Sequence, residues 1–221
     1  MIAHTESDLA ANLQTRGCAV CNRVIKIARD FFAQWQYALT SEEESQSSFA
    51  TELGFCPLHF WQLHSMSSPW GESIGLARLT EHVARLLTKV ERGRVAKSKV
   101  QNMLRTPENC RVCRMLHQAE TAYVKRLGIF VSDKKGRQIY ERSQGVCLHH
   151  LARLVSVTSP KVQQFLLTAA SCRLNEIATS MRGYAKKREA TRRDLISKDE
   201  EDASLRAVIH LSGAKDYSAH E

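Results

Sequence analysis

Proline and glycine are scarce, four and ten among 221 residues, too few to punctuate a fold of many short strands and tight turns. Long hydrophobic runs are missing as well: no stretch approaches the roughly 18–20 apolar residues of a membrane-crossing helix. The opening "MIAHTESDLAANLQ" has neither the basic nor the apolar region of a secretory leader. The chain is therefore expected to be cytoplasmic and to make no membrane contact. Enzyme signatures are lacking too, with no Gly-rich phosphate loop, nucleophile elbow or paired carboxylates. A non-enzymatic protein is expected. The hydrophobic share of 43% still suffices for one substantial core or two small ones.

What the chain does have is sulfur in a pattern. Its cysteines number seven, and in a reducing compartment closely spaced pairs are metal ligands or redox dithiols more often than disulfides. Cys18 and Cys21 form "CAVC", and Cys110 and Cys113 form "CRVC". Cys56 heads "CPLH" with His59, and Cys147 heads "CLHH" with His150. Laid end to end these are two copies of C-x2-C followed by C-x2-H, with 34 and 33 residues between the pairs. "LGFCPLHFWQL" aligns with "QGVCLHHLARL", each with a Gly two places before the Cys. Internal duplication is the main organisational fact. Cys172 is left over and reads as a small core hydrophobe.

Periodicity points to helices throughout. Val24, Ala28, Phe31, Phe32, Trp35 and Leu39 follow the first C-x2-C at helical spacing, as Leu116, Ala119, Tyr123 and Leu127 follow the second. Each C-x2-H opens a short helix, and a longer amphipathic one comes next. The first is striped by Leu76, Leu79, Val83, Leu86 and Val90; the second starts at Ser159-Pro160, an N-cap with Pro in the first helical position. The expected fold is all-α: two tandem zinc-pinned helical modules, 1–106 and 107–185, and a charged C-terminal helical tail, 186–221. In that tail acidic Asp199 to Asp202 precede a docking helix, expected to pack on the body or on a partner, whose apolar stripe is Leu205, Val208, Ile209 and Leu211, closed by Gly213.

Three thiolates and one imidazole are a closed tetrahedral set for Zn²⁺. Two ions per chain are expected, the first held by Cys18, Cys21, Cys56 and His59, the second by Cys110, Cys113, Cys147 and His150. Pairs placed at helix starts gain from the positive end of the helix dipole, which stabilises the thiolates a metal needs. An iron–sulfur cluster is the alternative cofactor, though cluster motifs concentrate their cysteines more tightly. A thioredoxin-like dithiol fits poorly, because no βαβ pattern surrounds either C-x2-C.

The formal net charge of +9 is concentrated in three runs. They hold Arg92, Arg94, Lys97, Lys99 and Arg105; Lys134, Lys135, Arg137 and Arg142; and Lys186, Lys187, Arg188, Arg192 and Arg193. Such stripes either solvate long helices or neutralise nucleic-acid phosphates. An adapter or accessory factor for another protein is the first expectation, a nucleic-acid-binding protein the second, and an iron–sulfur or redox accessory protein the third.

The repeated "C-x2-C … GFC-x2-H" segments, with an acidic-then-apolar helix ending in Gly, resemble a family of uncharacterised prokaryotic all-helical proteins. The resemblance covers Cys18 to about Gly213 and implies metal binding and the helical fold, with no activity attached. One departure stands out. Leu148 and His149 replace Pro57 and Leu58, so His149 competes with His150 as a ligand.

Overall fold

A computed structural model describes residues 6–89, 94–189 and 195–214. Val90, Arg92, Arg192, Arg193 and the end of the tail from 215 lie outside the described residues, as do the side chains of Arg94 and Arg188. Every regular element among the described residues is helical. In order these are α1 (Glu6–Leu13), α2 (Ala19–Ser41), α3 (Glu43–Thr51), α4 (Pro57–Met66), α5 (Pro69–Thr88), α6 (Arg94–Met103), a 3₁₀ turn (Pro107–Asn109), α7 (Arg111–Ser132), α8 (Lys134–Glu141), α9 (Leu148–Ser156), α10 (Pro160–Glu189), α11 (Lys198–Glu201) and α12 (Ala203–Ser212). No described helix is long and apolar enough to cross a membrane.

The duplication is plain in this order, with α2 to α5 matched by α7 to α10. Compactness, however, does not follow the tandem boundaries at 106 and 185. One compact unit takes residues 6–25 with 119–214, and the other takes 26–118, so each division falls inside a long helix, α2 or α7. The C-terminal helix docks on the body, since α12 packs on α9 and α10 within the first unit.

The 26–118 unit is built around aromatic rings. Phe55 meets Phe31, Phe32 and Trp35 of α2 and Phe49 of α3, with centroids 4.9–6.1 Å apart. The three phenylalanine pairs are edge-to-face, an arrangement that adds to the stabilisation from the apolar area they bury. The turn that delivers Phe55 depends on Gly54, whose φ is +74°. A Cβ there would lie 2.5 Å from the Phe60 ring, so both the conformation and the space require glycine. Gly54→Ala is expected to destabilise by about 2–4 kcal/mol, through left-handed strain and overpacking together. A lowered urea midpoint at unchanged slope checks it. Gly145, at φ +71°, makes the same turn before Cys147. Further along, Ser68 caps α5 by accepting from the Gly71 amide, with Pro69 in the first turn.

In the other unit, Tyr140 is fully buried under the Arg173 guanidinium, which lies 4.9 Å from the ring centroid. That guanidinium donates to the carbonyls of Ser143 and Tyr140 and so closes the end of α8. α11 opens on a capping box, the Ser197 hydroxyl accepting from the Glu200 amide while the Glu200 carboxylate accepts from the Ser197 amide. One open expectation is decided here and one is corrected. α12 buries Ala203 and His210, whereas Leu205, Val208 and Leu211 are more than half exposed; only Ile209 of the expected stripe turns inward, to half-buried. Cys172 is exposed rather than core. It lies six positions past buried Leu166, about 240° around the helix.

Candidate metal centres

The eight expected ligands gather into two buried clusters, but with exchanged partners. Cys18 and Cys21 meet Cys147 and His150; Cys56 and His59 meet Cys110 and Cys113. Each centre thus joins the C-x2-C of one copy to the C-x2-H of the other. The reason is helix length. α2 runs on to Ser41 and α3 is only nine residues long, so the returning chain does not reach the start of α2. Phe55 packs instead beside Phe31, twelve positions past Ala19 and about 18 Å along the helix. Cys56, the next residue, is carried there with it.

Local structure aims all four pairs in the same way. Cys18 directly precedes α2, following Gly17 at φ +91°, and Cys21 lies in the first turn. Cys110 directly precedes α7, and Cys113 lies in its first turn. Cys56 and Cys147 are the N-cap residues of α4 and α9, which places His59 and His150 in the first turns of those helices. Every pair therefore sits where unpaired amides and the helix dipole favour negative charge. One such amide is seen at work, the Cys56 N–H donating to Cys110 Sγ at 3.4 Å.

At the first centre His150 Nδ1 lies 3.4, 3.5 and 3.1 Å from the sulfurs of Cys18, Cys21 and Cys147, and Cys21 and Cys147 are 3.9 Å apart. At the second, His59 Nδ1 lies 3.2, 3.6 and 3.3 Å from Cys56, Cys110 and Cys113, and Cys56 and Cys113 are 3.6 Å apart. Tetrahedral bonds of about 2.3 Å to sulfur and 2.0–2.1 Å to nitrogen imply separations of about 3.8 Å between sulfurs and about 3.6 Å from sulfur to nitrogen. Both donor sets fit a single metal ion.

The proton affinities tell the same story. Burial pushes the Cys110 thiol up, but contacts with His59 and the amides of Cys113 and Cys56 prevail and bring it down to about 6. Hydrogen bonds from Cys18 and Cys21 drive Cys147 far below the ordinary thiol range, against burial. Cys21 is raised by its bonds to Cys147 and Cys18, and Cys113 by burial and by the charges of Cys110 and Cys56. Cys110 and Cys147 are thus the favoured thiolates, while Cys113 and Cys21 hold their protons more tightly, because neighbouring negative sulfurs repel at this distance. A divalent cation removes that conflict and displaces the remaining protons.

His150, not His149, is the imidazole of the first centre; His149 places its Nε2 3.8 Å from Glu120. The other nitrogen of His150, Nε2, lies 2.7 Å from a Glu120 carboxylate oxygen, and the Arg153 guanidinium is paired with that same oxygen. Glu120 is 3% exposed. Its signal was present in the sequence, since an acid stands between Leu116, Tyr123 and Leu127 at the spacing of the buried face. His210 was the other omission, buried where α12 meets α9 and α10. Desolvation there lowers its proton affinity.

No curated protein and no solved structure matches the chain. A family model does match, over residues 71–216, a span that includes Cys110, Cys113, Cys147 and His150 and so contributes one pair to each centre. The chain belongs to that family, whose description is a family of unknown function, DUF6062.

Proposed function

We propose that this is a cytoplasmic, non-enzymatic adapter or accessory protein whose helical frame is held by two structural zinc ions. The observation that carries the reading is the convergence of three sulfurs and one imidazole nitrogen at each centre. Four protein donors complete a tetrahedral shell and leave no open position for substrate, as structural rather than catalytic zinc requires. Thiolate-rich tetrahedral sites suit zinc. The sulfur separations of 3.6 and 3.9 Å support a single ion over an iron–sulfur cluster, whose ligands must spread around a body of several atoms. Among the described residues no cysteine is paired in a disulfide, which leaves the six clustered sulfurs available as metal ligands.

A protein partner suits the exposed apolar side chains. Trp61 and Trp70 are 70% and 71% exposed, and aromatics of this kind anchor protein interfaces. The nucleic-acid alternative loses members of its basic runs to the fold. Arg137 donates to the carbonyls of Val131 and Ser132, and Lys187 pairs with Glu200.

Elemental analysis of the purified chain tests the metal reading. Colourless protein with two zinc per chain is expected, one for each cluster. Brown, iron-containing protein would replace zinc by the cluster alternative, and protein that neither holds nor takes up metal would overturn the proposal.

A further inference from the structure

The two centres have matching ligands but different surroundings. Alignment of the repeats through Cys18 and Cys110 places Glu120 opposite Ala28, and alignment through Cys56 and Cys147 places Arg153 opposite Gln62. The buried carboxylate and its guanidinium therefore belong to one copy. Beside His59 the ring of Phe32 lies 6.0 Å away, centroid to centroid.

A carboxylate on the apolar face of a helix is costly unless it is paired. Glu120 is 3% exposed and takes on three neighbours at once: His150 Nε2 at 2.7 Å, the Arg153 guanidinium, and His149 Nε2 at 3.8 Å. Arg153 is itself held by donating to the Thr121 hydroxyl at 2.9 Å. Glu120, His149 and His150 stand close enough to suggest a third cation site. The guanidinium on the carboxylate opposes a second positive charge there, and His150 Nδ1 is already committed to the sulfurs.

An imidazole that binds a metal through Nδ1 while neutral must carry its proton on Nε2, and a carboxylate accepting from that N–H fixes both the tautomer and the ring plane. The geometry points to Glu120 as the positioning residue of the first centre: braced by Arg153, it holds His150 with Nε2 protonated and Nδ1 aimed at the metal, and so slows release of one of the two ions. This inference rests on the metal-binding reading above. Its effect is confined to one centre, because the equivalent positions in the other copy are Ala28 and Gln62.

The test uses the full chain loaded with Zn²⁺, a chromogenic chelator, and the variants Glu120→Gln and Glu120→Ala. Loss of partners of this kind changes metal affinity by about 10–100-fold. Both variants should still bind two ions at saturation. One release phase should quicken by roughly tenfold or more, further in Glu120→Ala than in Glu120→Gln, while the other keeps its wild-type rate. Unchanged release in both variants would overturn the inference; so would equal acceleration of both phases, the mark of a general loosening. Should either variant fail to fold, the wild-type protein decides alone. Side-chain ¹⁵N spectra of the zinc-loaded chain should show His150 with metal on Nδ1 and a proton on Nε2, and coordination through Nε2 would overturn the inference. Wild-type protein that takes up no Zn²⁺ would instead remove the metal-binding reading itself, a result distinct from all of these.

Discussion

Stripping both metals from the folded protein with a chelator should collapse its helical signal well below the melting temperature of the loaded form. Structural zinc contributes apparent binding energies of about 10–16 kcal/mol in small zinc peptides. The net stability of a folded domain is only about 5–15 kcal/mol. Two centres are at stake here, and each is a closure between distant parts of the chain. Cys21 and Cys147 are 126 positions apart, and Cys56 and Cys110 are 54 apart, so each ion would remove much conformational freedom from the unfolded chain. Within the 26–118 unit the second centre also seats Phe55 among Phe31, Phe32, Trp35 and Phe49. Without the ion, partly protonated sulfurs would have to keep that seat alone. A loss of even about 5 kcal/mol lowers the melting temperature of a chain this long by about 10–20 °C. Circular dichroism melts with and without chelator measure the difference. Restoration by added Zn²⁺ should be complete, and a chelated protein that melts where the loaded one does would show the metal to be incidental.

The candidate ligands were legible in the sequence because their chemistry is local. C-x2-C and C-x2-H each need one turn at a helix start, and "CAVC", "CRVC", "CPLH" and "CLHH" sit at such starts, with Pro57 in the first turn of α4. Pairing of those motifs is not local. A gap of 34 residues between Cys21 and Cys56 is long enough for a hairpin to close on itself, and only the extent of α2 decides otherwise. That extent was readable from Val24 to Leu39. Missing was α3, whose polar "EESQSSFAT" carries little periodic signal, so the return path could not be measured. α8 hides for a similar reason. Its helix is set by Asp133, whose carboxylate accepts from the Lys135 and Gly136 amides, rather than by an apolar stripe. On α12 the apolar residues Leu205, Val208 and Leu211 made the more obvious face, yet the side that packs carries Ala203 and His210. Hydrophobicity marks a face that can be buried; which face is buried depends on the surface opposite it.

Exchange of partners between the copies has a consequence that metal counting reads directly. Cys21→Ser and Cys147→Ser each break the first centre, so the double variant should hold one zinc per chain, the same as either single variant. Its stability should fall little below that of the weaker single variant, giving a coupling energy nearly as large as the single-site cost. Cys21→Ser with Cys56→Ser damages both centres instead, and bound zinc should fall to none with the losses adding. Tandem modules would give the opposite pattern, with Cys21 and Cys56 coupled and Cys21 and Cys147 additive. Serine keeps the size of the side chain but supplies a weak, hard hydroxyl in place of a thiolate, so the deficit lies in coordination rather than packing. Zinc content and urea unfolding of the three single and two double variants distinguish the schemes. The discriminating pair is the double variant at Cys21 and Cys147, because no folding defect shared by all cysteine variants would leave it with one ion while Cys21→Ser with Cys56→Ser has lost both.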